Sequence, residues 1–94
     1  MDIRWSAAAL ADLEGIQDYL LTENPAAAAR MVEVLRDAAA SLRTMPHRGR
    51  PGRWPGTREL VLTTERYLIP YRVEGEAVQI LRVFHGARAW PESP

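Results

Sequence analysis

The chain contains no cysteine and no lysine. The first absence excludes disulfides, thiol nucleophiles and sulfur-ligated metal centres. The second makes all twelve basic residues arginine. Its planar fork suits phosphate and carboxylate pairing, although an alanine-rich, lysine-free composition also fits the codon bias of a GC-rich genome. Histidine is scarce. His47 and His85 lie far apart with no Cys or His beside them, so neither a metal site nor any other cofactor is expected. No apolar stretch approaches the length needed to cross a bilayer. The N-terminus, Met1-Asp2-Ile3-Arg4-Trp5, lacks the apolar segment of a signal peptide. A soluble cytoplasmic protein with no membrane contact is the expectation. No paired-carboxylate arrangement, phosphate-binding glycine loop or nucleophile elbow is present either.

What remains is enough for one folded domain spanning residues 1–94, with 47% hydrophobic residues to fill a single modest core. The formal net charge of zero hides an asymmetry. Residues 1–44 carry four arginines against seven acids, and residues 45–94 carry eight arginines against five. The acidic half reads as scaffold, and the basic half as a surface for something anionic.

Asp2 to Trp5 is a short strand candidate, followed by Ser6 as an N-cap and a helix over residues 7–23. Leu10, Leu13, Ile16, Leu20 and Leu21 recur at three- and four-residue steps, with Asp12, Glu14 and Asp18 mostly opposite. Asn24-Pro25 ends one helix and starts another, which runs to about Arg43 with Ala28, Met31, Val32, Leu35, Ala39 and Leu42 inward. Met45 to Gly56 is broken by prolines and glycines into a loop. Strands are expected over 57–63, 67–73 and 77–85, the last two joined by a tight turn at Glu74-Gly75-Glu76, with Pro70 marking a bulge. The fold class is therefore α+β, ordered β-α-α-β-β-β. A helical hairpin packs on one face of a small antiparallel sheet, and the other face is open.

The chemistry-bearing residues concentrate in the basic half. Arg48, Arg50, Arg53 and Arg58 surround Trp54, a pattern that could grip phosphates with the indole stacking on a base. The structural alternative is that these arginines pair with Glu59 or Glu65. Arg66, Tyr67, Tyr71 and Arg72 could line a groove or place their aromatics in the core. Arg82, His85 and Arg88 could supply a general base and a charge-stabilising guanidinium; alternatively Arg82 makes a buried salt bridge and His85 caps a strand. Trp90 packs the tail.

The whole chain resembles the RelE/ParE superfamily of type II toxin–antitoxin toxins. The residues carrying the resemblance are Ile3-Arg4-Trp5-Ser6, Asp12-Leu13-x-x-Ile16, Gly49-Arg50-Pro51-Gly52, Arg58-Glu59-Leu60, Tyr71-Arg72-Val73 and Ile80-Leu81-Arg82-Val83-Phe84-His85-Gly86-Ala87-Arg88. The Tyr-Arg-Val block and the final block are most similar to the ParE branch. The resemblance implies a toxin held inactive by a cognate antitoxin in a hetero-oligomer, with DNA gyrase as target. The ribosome-dependent mRNA nucleases of the RelE branch are the alternative. Of their basic and aromatic set, Arg88 matches the tail arginine, but Leu68 follows Tyr67, lysines are absent and Trp90-Pro91 stands near the expected tyrosine. Of the related nucleases with a Glu–His pair, His85 is near the expected place, but no acid lies in residues 48–52.

Three functions follow from different classes. The first is a non-catalytic gyrase-binding toxin whose target or antitoxin surface includes Arg50, Arg53, Trp54, Arg58, Arg66, Tyr71, Arg72, Arg82, His85, Arg88 and Trp90. The second is an mRNA endonuclease acting on the ribosome through His85, Arg88 and Arg66. The third is a basic RNA-binding module without toxicity. An acidic amphipathic antitoxin segment across Arg58, Arg72 and Arg82 and along the helical hairpin is the expected mode of capture.

Overall fold

In a computed structural model describing residues 1–94, β1 (Asp2–Trp5) leads into α1 (Ala7–Glu23) and α2 (Pro25–Ala40). A 3-10 turn (Ser41–Arg43) and a long loop precede β2 (Arg50–Pro51), β3 (Arg58–Leu62), β4 (Tyr67–Glu74), β5 (Ala77–Ile80) and β6 (Phe84–His85). The caps are those the sequence announces. The Ser6 hydroxyl accepts the Ala9 N–H at 3.0 Å, and the Asn24 side chain accepts the Ala27 N–H at 3.3 Å. Ser6 does a second job, donating to the Leu81 carbonyl at 2.8 Å and so pinning the start of α1 to the sheet. Neither helix is long and apolar enough to cross a membrane.

The helical hairpin covers one face of a sheet ordered β1-β5-β4-β3-β2, with β6 pairing β4. All pairings are antiparallel except β1 with β5, because the two helices carry the chain from β1 back to the same end of the sheet. The core lies between the layers. Leu60, Ile69, Tyr71, Val78 and Ile80 from the sheet meet Ala9, Leu13, Leu35, Ala39 and Leu42 from the helical side. A fully buried aliphatic side chain contributes roughly 1.5–3 kcal/mol. Leu10 and Leu21, expected in the inward stripe of α1, are exposed; Ala9 and Leu13 take the contact instead, since α1 meets the sheet along a narrower line.

Three further expectations need correction. The loop over Met45–Gly56 contains a strand: β2 pairs with β3 through Arg50–Glu59 and Pro51–Arg58. Its scaffold is Tyr71, whose hydroxyl accepts the Gly49 N–H at 2.9 Å and donates to the Pro46 carbonyl at 2.7 Å. Gly49 is required there, because a Cβ would lie 2.7 Å from the Tyr71 ring.

The last strand is interrupted. Tyr71 pairs with Ile80 and Leu68 with Phe84, so Leu81, Arg82 and Val83 stand opposite only Ile69 and Pro70. The bulge expected at Pro70 thus belongs to its partner strand, and the Pro70 carbonyl accepts from both Leu81 and Arg82. It turns two successive residues, Arg82 and Val83, toward the helices: Arg82 reaches Asp12 of α1, and Val83 joins the core.

The second sheet face is covered in part. Trp54, Leu81 and Phe84 form a separate buried cluster there, with Trp90 of the tail packed against it.

Candidate functional site

The most developed concavity is a groove of about 580 Å³ between α1 and the β4–β6 edge. Helical spacing puts Asp12, Ile16 and Tyr19 of α1 on its near wall, with Gly15 between them. The far wall is Tyr67, Val83, His85 and Arg88. The bulge is what aims this wall. It carries Val83 to the groove floor and sets His85 beside Tyr67, ring edge to ring face at 5.4 Å.

Asp12 anchors the closed end. Its carboxylate accepts from Arg82 Nε at 2.7 Å, Arg82 Nη2 at 2.9 Å and the Val83 backbone N–H at 2.9 Å. The hydrogen bonds to Asp12 hold the Arg82 guanidinium above the ordinary arginine range, against the opposing effect of burial. Arg88 approaches the same carboxylate only to 4.0 Å and keeps 55% of its side chain exposed. Two guanidinium groups thus face one carboxylate, which leaves a cation in excess at the groove mouth. His85 Nδ1 accepts the Ala87 N–H at 3.2 Å, which puts the proton of the neutral ring on the solvent-facing Nε2. Burial, with a smaller push from Tyr19, raises the Tyr67 phenol above its usual range, so Tyr67 is a neutral hydroxyl at physiological pH.

Of the residues singled out in the sequence, the groove brings together Tyr67, His85 and Arg88. Arg66 lies outside it, exposed on the β3–β4 turn, with a left-handed backbone (φ 65°) and a carbonyl that accepts the Gly86 N–H at 2.8 Å. Most of the others have internal partners. Arg50 donates two hydrogen bonds to Glu59, whose other oxygen accepts the Arg53 backbone N–H at 2.8 Å. Glu59 is buried, so the alternative of arginines pairing with it describes this loop. Arg58 donates to the His47 and Gly49 carbonyls, and Arg72 pairs with Glu74. Tyr71 is fully buried.

Trp54 is not presented for base stacking. It is 5% exposed, donates to the Pro91 carbonyl at 3.1 Å and packs on Trp90 at 4.9 Å. The Arg53 guanidinium lies 3.7 Å from the centre of the Trp90 ring.

Asp12, Gly15 and Tyr19 are not among the site residues expected from the sequence. Asp12 was placed on the outer face of the helix, when its offset of four from Ile16 and seven from Tyr19 puts it on the groove wall. No three His, Cys, Asp or Glu side chains are grouped so as to hold a metal ion.

The fold, two helices packed on a mixed sheet, agrees with what the chain matches. Residues 3–90 fit the family model of the ParE toxin of the type II toxin–antitoxin system parDE. The chain belongs to this family. It is 44% identical over 90 residues to toxin Y4kP of Sinorhizobium fredii, covering 96% of this chain and 93% of that protein. It is also 44% identical over 84 residues to Toxin RelE2 of Caulobacter vibrioides, covering 89% and 93%. Among solved structures, the chromosomal ParDE toxin–antitoxin system from P. aeruginosa superposes with a TM-score of 0.84 at 32% identity, covering 90% of this chain and 95% of that one. The ParE family toxin is therefore similar to proteins carrying both ParE and RelE names.

Proposed function

We propose that this toxin acts by docking on DNA gyrase without chemistry of its own, and that a cognate antitoxin neutralises it. One observation carries the reading: the carboxylate and the imidazole of the groove are both engaged within the chain. The Asp12 carboxylate accepts three hydrogen bonds, from Arg82 and the Val83 N–H, and His85 Nδ1 accepts the Ala87 N–H. A general base needs a free lone pair within reach of the proton it removes. Arg66, the third member of the nuclease set considered above, lies outside the groove. The match to the ParE family and to a ParDE structure supports the same side.

The test is direct. Purified toxin added to gyrase and relaxed plasmid is expected to block supercoiling and to leave ribosome-bound mRNA intact. Unimpaired supercoiling together with cleaved mRNA overturns the reading. A nuclease reading is favoured by one feature, the meeting of His85, Arg88 and the neutral Tyr67 hydroxyl around a single groove. Under it, His85→Ala and Arg88→Ala each abolish mRNA cleavage.

A further inference from the structure

We propose that two copies of this chain pair edge to edge through β1, antiparallel about Ile3, so that one sheet runs through a twofold dimer. The pairing is independent of the toxin's target.

β1 is an open edge. It stands at the end of the strand order, and β5 is its one partner. The parallel register from Asp2–Ala77 to Trp5–Ile80 turns the backbone of Asp2 and Arg4 toward β5. The flanking bonds keep the same parity: Asp2 N–H donates to the Glu76 carbonyl at 3.2 Å and Ser6 N–H to the Ile80 carbonyl at 2.9 Å. The N–H and C=O groups of Ile3 and Trp5 therefore point outward with no partner in the chain, a ready template for another strand. The opposite edge is guarded, since β2 has only two residues and one is Pro51. β1 carries no proline.

Two constraints fix the register. The twofold axis must pass a residue whose backbone faces outward, so that it and its copy exchange both hydrogen bonds. That leaves Ile3 or Trp5. An axis at Trp5 would set Ile3 against Ala7 of the second copy, where the strand has already given way to α1. An axis at Ile3 sets Asp2 opposite Arg4 of the second copy, and Arg4 opposite Asp2. These fall in the pairs without backbone hydrogen bonds, where facing side chains come closest.

The side chains fit this register. Ile3 and Trp5 pack against the core, so Asp2 and Arg4 share the sheet face away from the helices. Asp2, Arg4 and Glu76 are all exposed, and none of them makes an ion pair within the chain. A concavity of about 450 Å³ lined by Met1, Asp2 and Glu76 lies at this end of β1. It offers two carboxylates to the Arg4 fork of the second copy. Symmetry makes each attraction occur twice. Opposite charges two residues apart complement this strand's own sequence, which singles out a second copy over a foreign strand.

The experiment follows the purified toxin by sedimentation velocity over a concentration series, with amide hydrogen exchange on the same samples. The contact is small, so a weak dimer that grows with concentration is expected. The Ile3 and Trp5 amides should exchange more slowly as it forms, while Arg4 stays protected throughout. Arg4→Asp and Asp2→Arg each set like charges face to face and are expected to raise the dimer Kd roughly tenfold or more. The double variant Asp2→Arg/Arg4→Asp restores opposite charges and is expected to dimerise again. Arg30→Asp, the same charge change on the exposed side of α2, should dimerise as the parent does. A parent that stays monomeric to millimolar concentration overturns the proposal, as does a dimer indifferent to both single variants. Failure of the double variant to recover overturns the register. A monomeric parent whose antitoxin affinity falls in Arg4→Asp gives the edge to the antitoxin and overturns the pairing of copies.

Discussion

Arg82 and Asp12, 70 residues apart in sequence, meet in a bidentate ion pair at 2.7 and 2.9 Å that ties the bulge of the sheet to the first helix. Both side chains are largely buried, at 15% and 8% exposure. The pair positions the groove: it holds Val83 through its N–H and leaves Arg88 to face outward.

Asp12→Ala is therefore expected to cost about 3 kcal/mol, because it strands a buried guanidinium and the Val83 N–H together. Urea unfolding measures this as a lowered midpoint at unchanged slope. The double variant Asp12→Ala/Arg82→Leu is expected to be more stable than the sum of the single losses predicts, since neither charge is then left buried alone. Strict additivity would show that the pair carries no coupling.

Stability should fall in alkali through Tyr67 and Tyr71. Burial raises both phenols above the ordinary 10.0; for Tyr71 the Gly49 N–H, Arg58 and Arg48 oppose it in part. A folded value above the unfolded one means that the stabilisation is complete below about pH 10. It declines as the unfolded phenols ionise and is lost once pH passes the folded values. Arg82, raised for a different reason, keeps its full contribution across this window. Urea midpoints between pH 8 and 11 read the slope, and Tyr67→Phe should flatten it. Tyr71→Phe should flatten it as well, and should cost about 1–3 kcal/mol at pH 8 by leaving the Gly49 N–H and Pro46 carbonyl unpaired. Phenylalanine variants as alkali-sensitive as the parent would contradict the assignment.

Arg66 occupies a left-handed conformation (φ 65°) in which a side chain is strained. Arg66→Gly is expected to stabilise the fold by about 0.5–1 kcal/mol, read as a rise of a few degrees in Tm. Growth arrest on expression should weaken at the same time if the exposed guanidinium touches the target. A variant that is both more stable and fully toxic would mark Arg66 as a turn residue only.

The helical half was legible because its signals are local. Ser6, Asn24-Pro25 and the inward line of α2 are set by contacts within a few residues of each cap. The basic half was less so, since its meaning depends on residues far away in sequence. β2 hides among prolines and glycines because Tyr71 and Glu59, on other strands, hold it in place. Trp54 read as a stacking surface until Trp90, 36 positions later, packed against it. Asp12 read as a solvated helix charge because its partner lies 70 residues away in sequence, on the bulge that faces the helix. The arginine positions were visible, but which of them remained free for a partner was decided by tertiary pairing.

The tail supplies the last prediction. Trp90 lies 5.0 Å from Phe84 and 4.9 Å from Trp54, under the Arg53 guanidinium, so it closes the cluster on the second sheet face. Its indole N–H is buried with no hydrogen-bond partner. The ring is therefore held by packing and by the Arg53 guanidinium over its face, and the polar atom works against it. Trp90→Ala should cost about 2 kcal/mol and shift tryptophan emission to the red as Trp54 becomes wet. Trp90→Phe keeps most of the aromatic contact and removes the orphan donor, so it should cost well under about 1 kcal/mol. Equal losses in the two variants would mean that the indole N–H finds a water in solution, and that the donor, more than the ring face, anchors the tail.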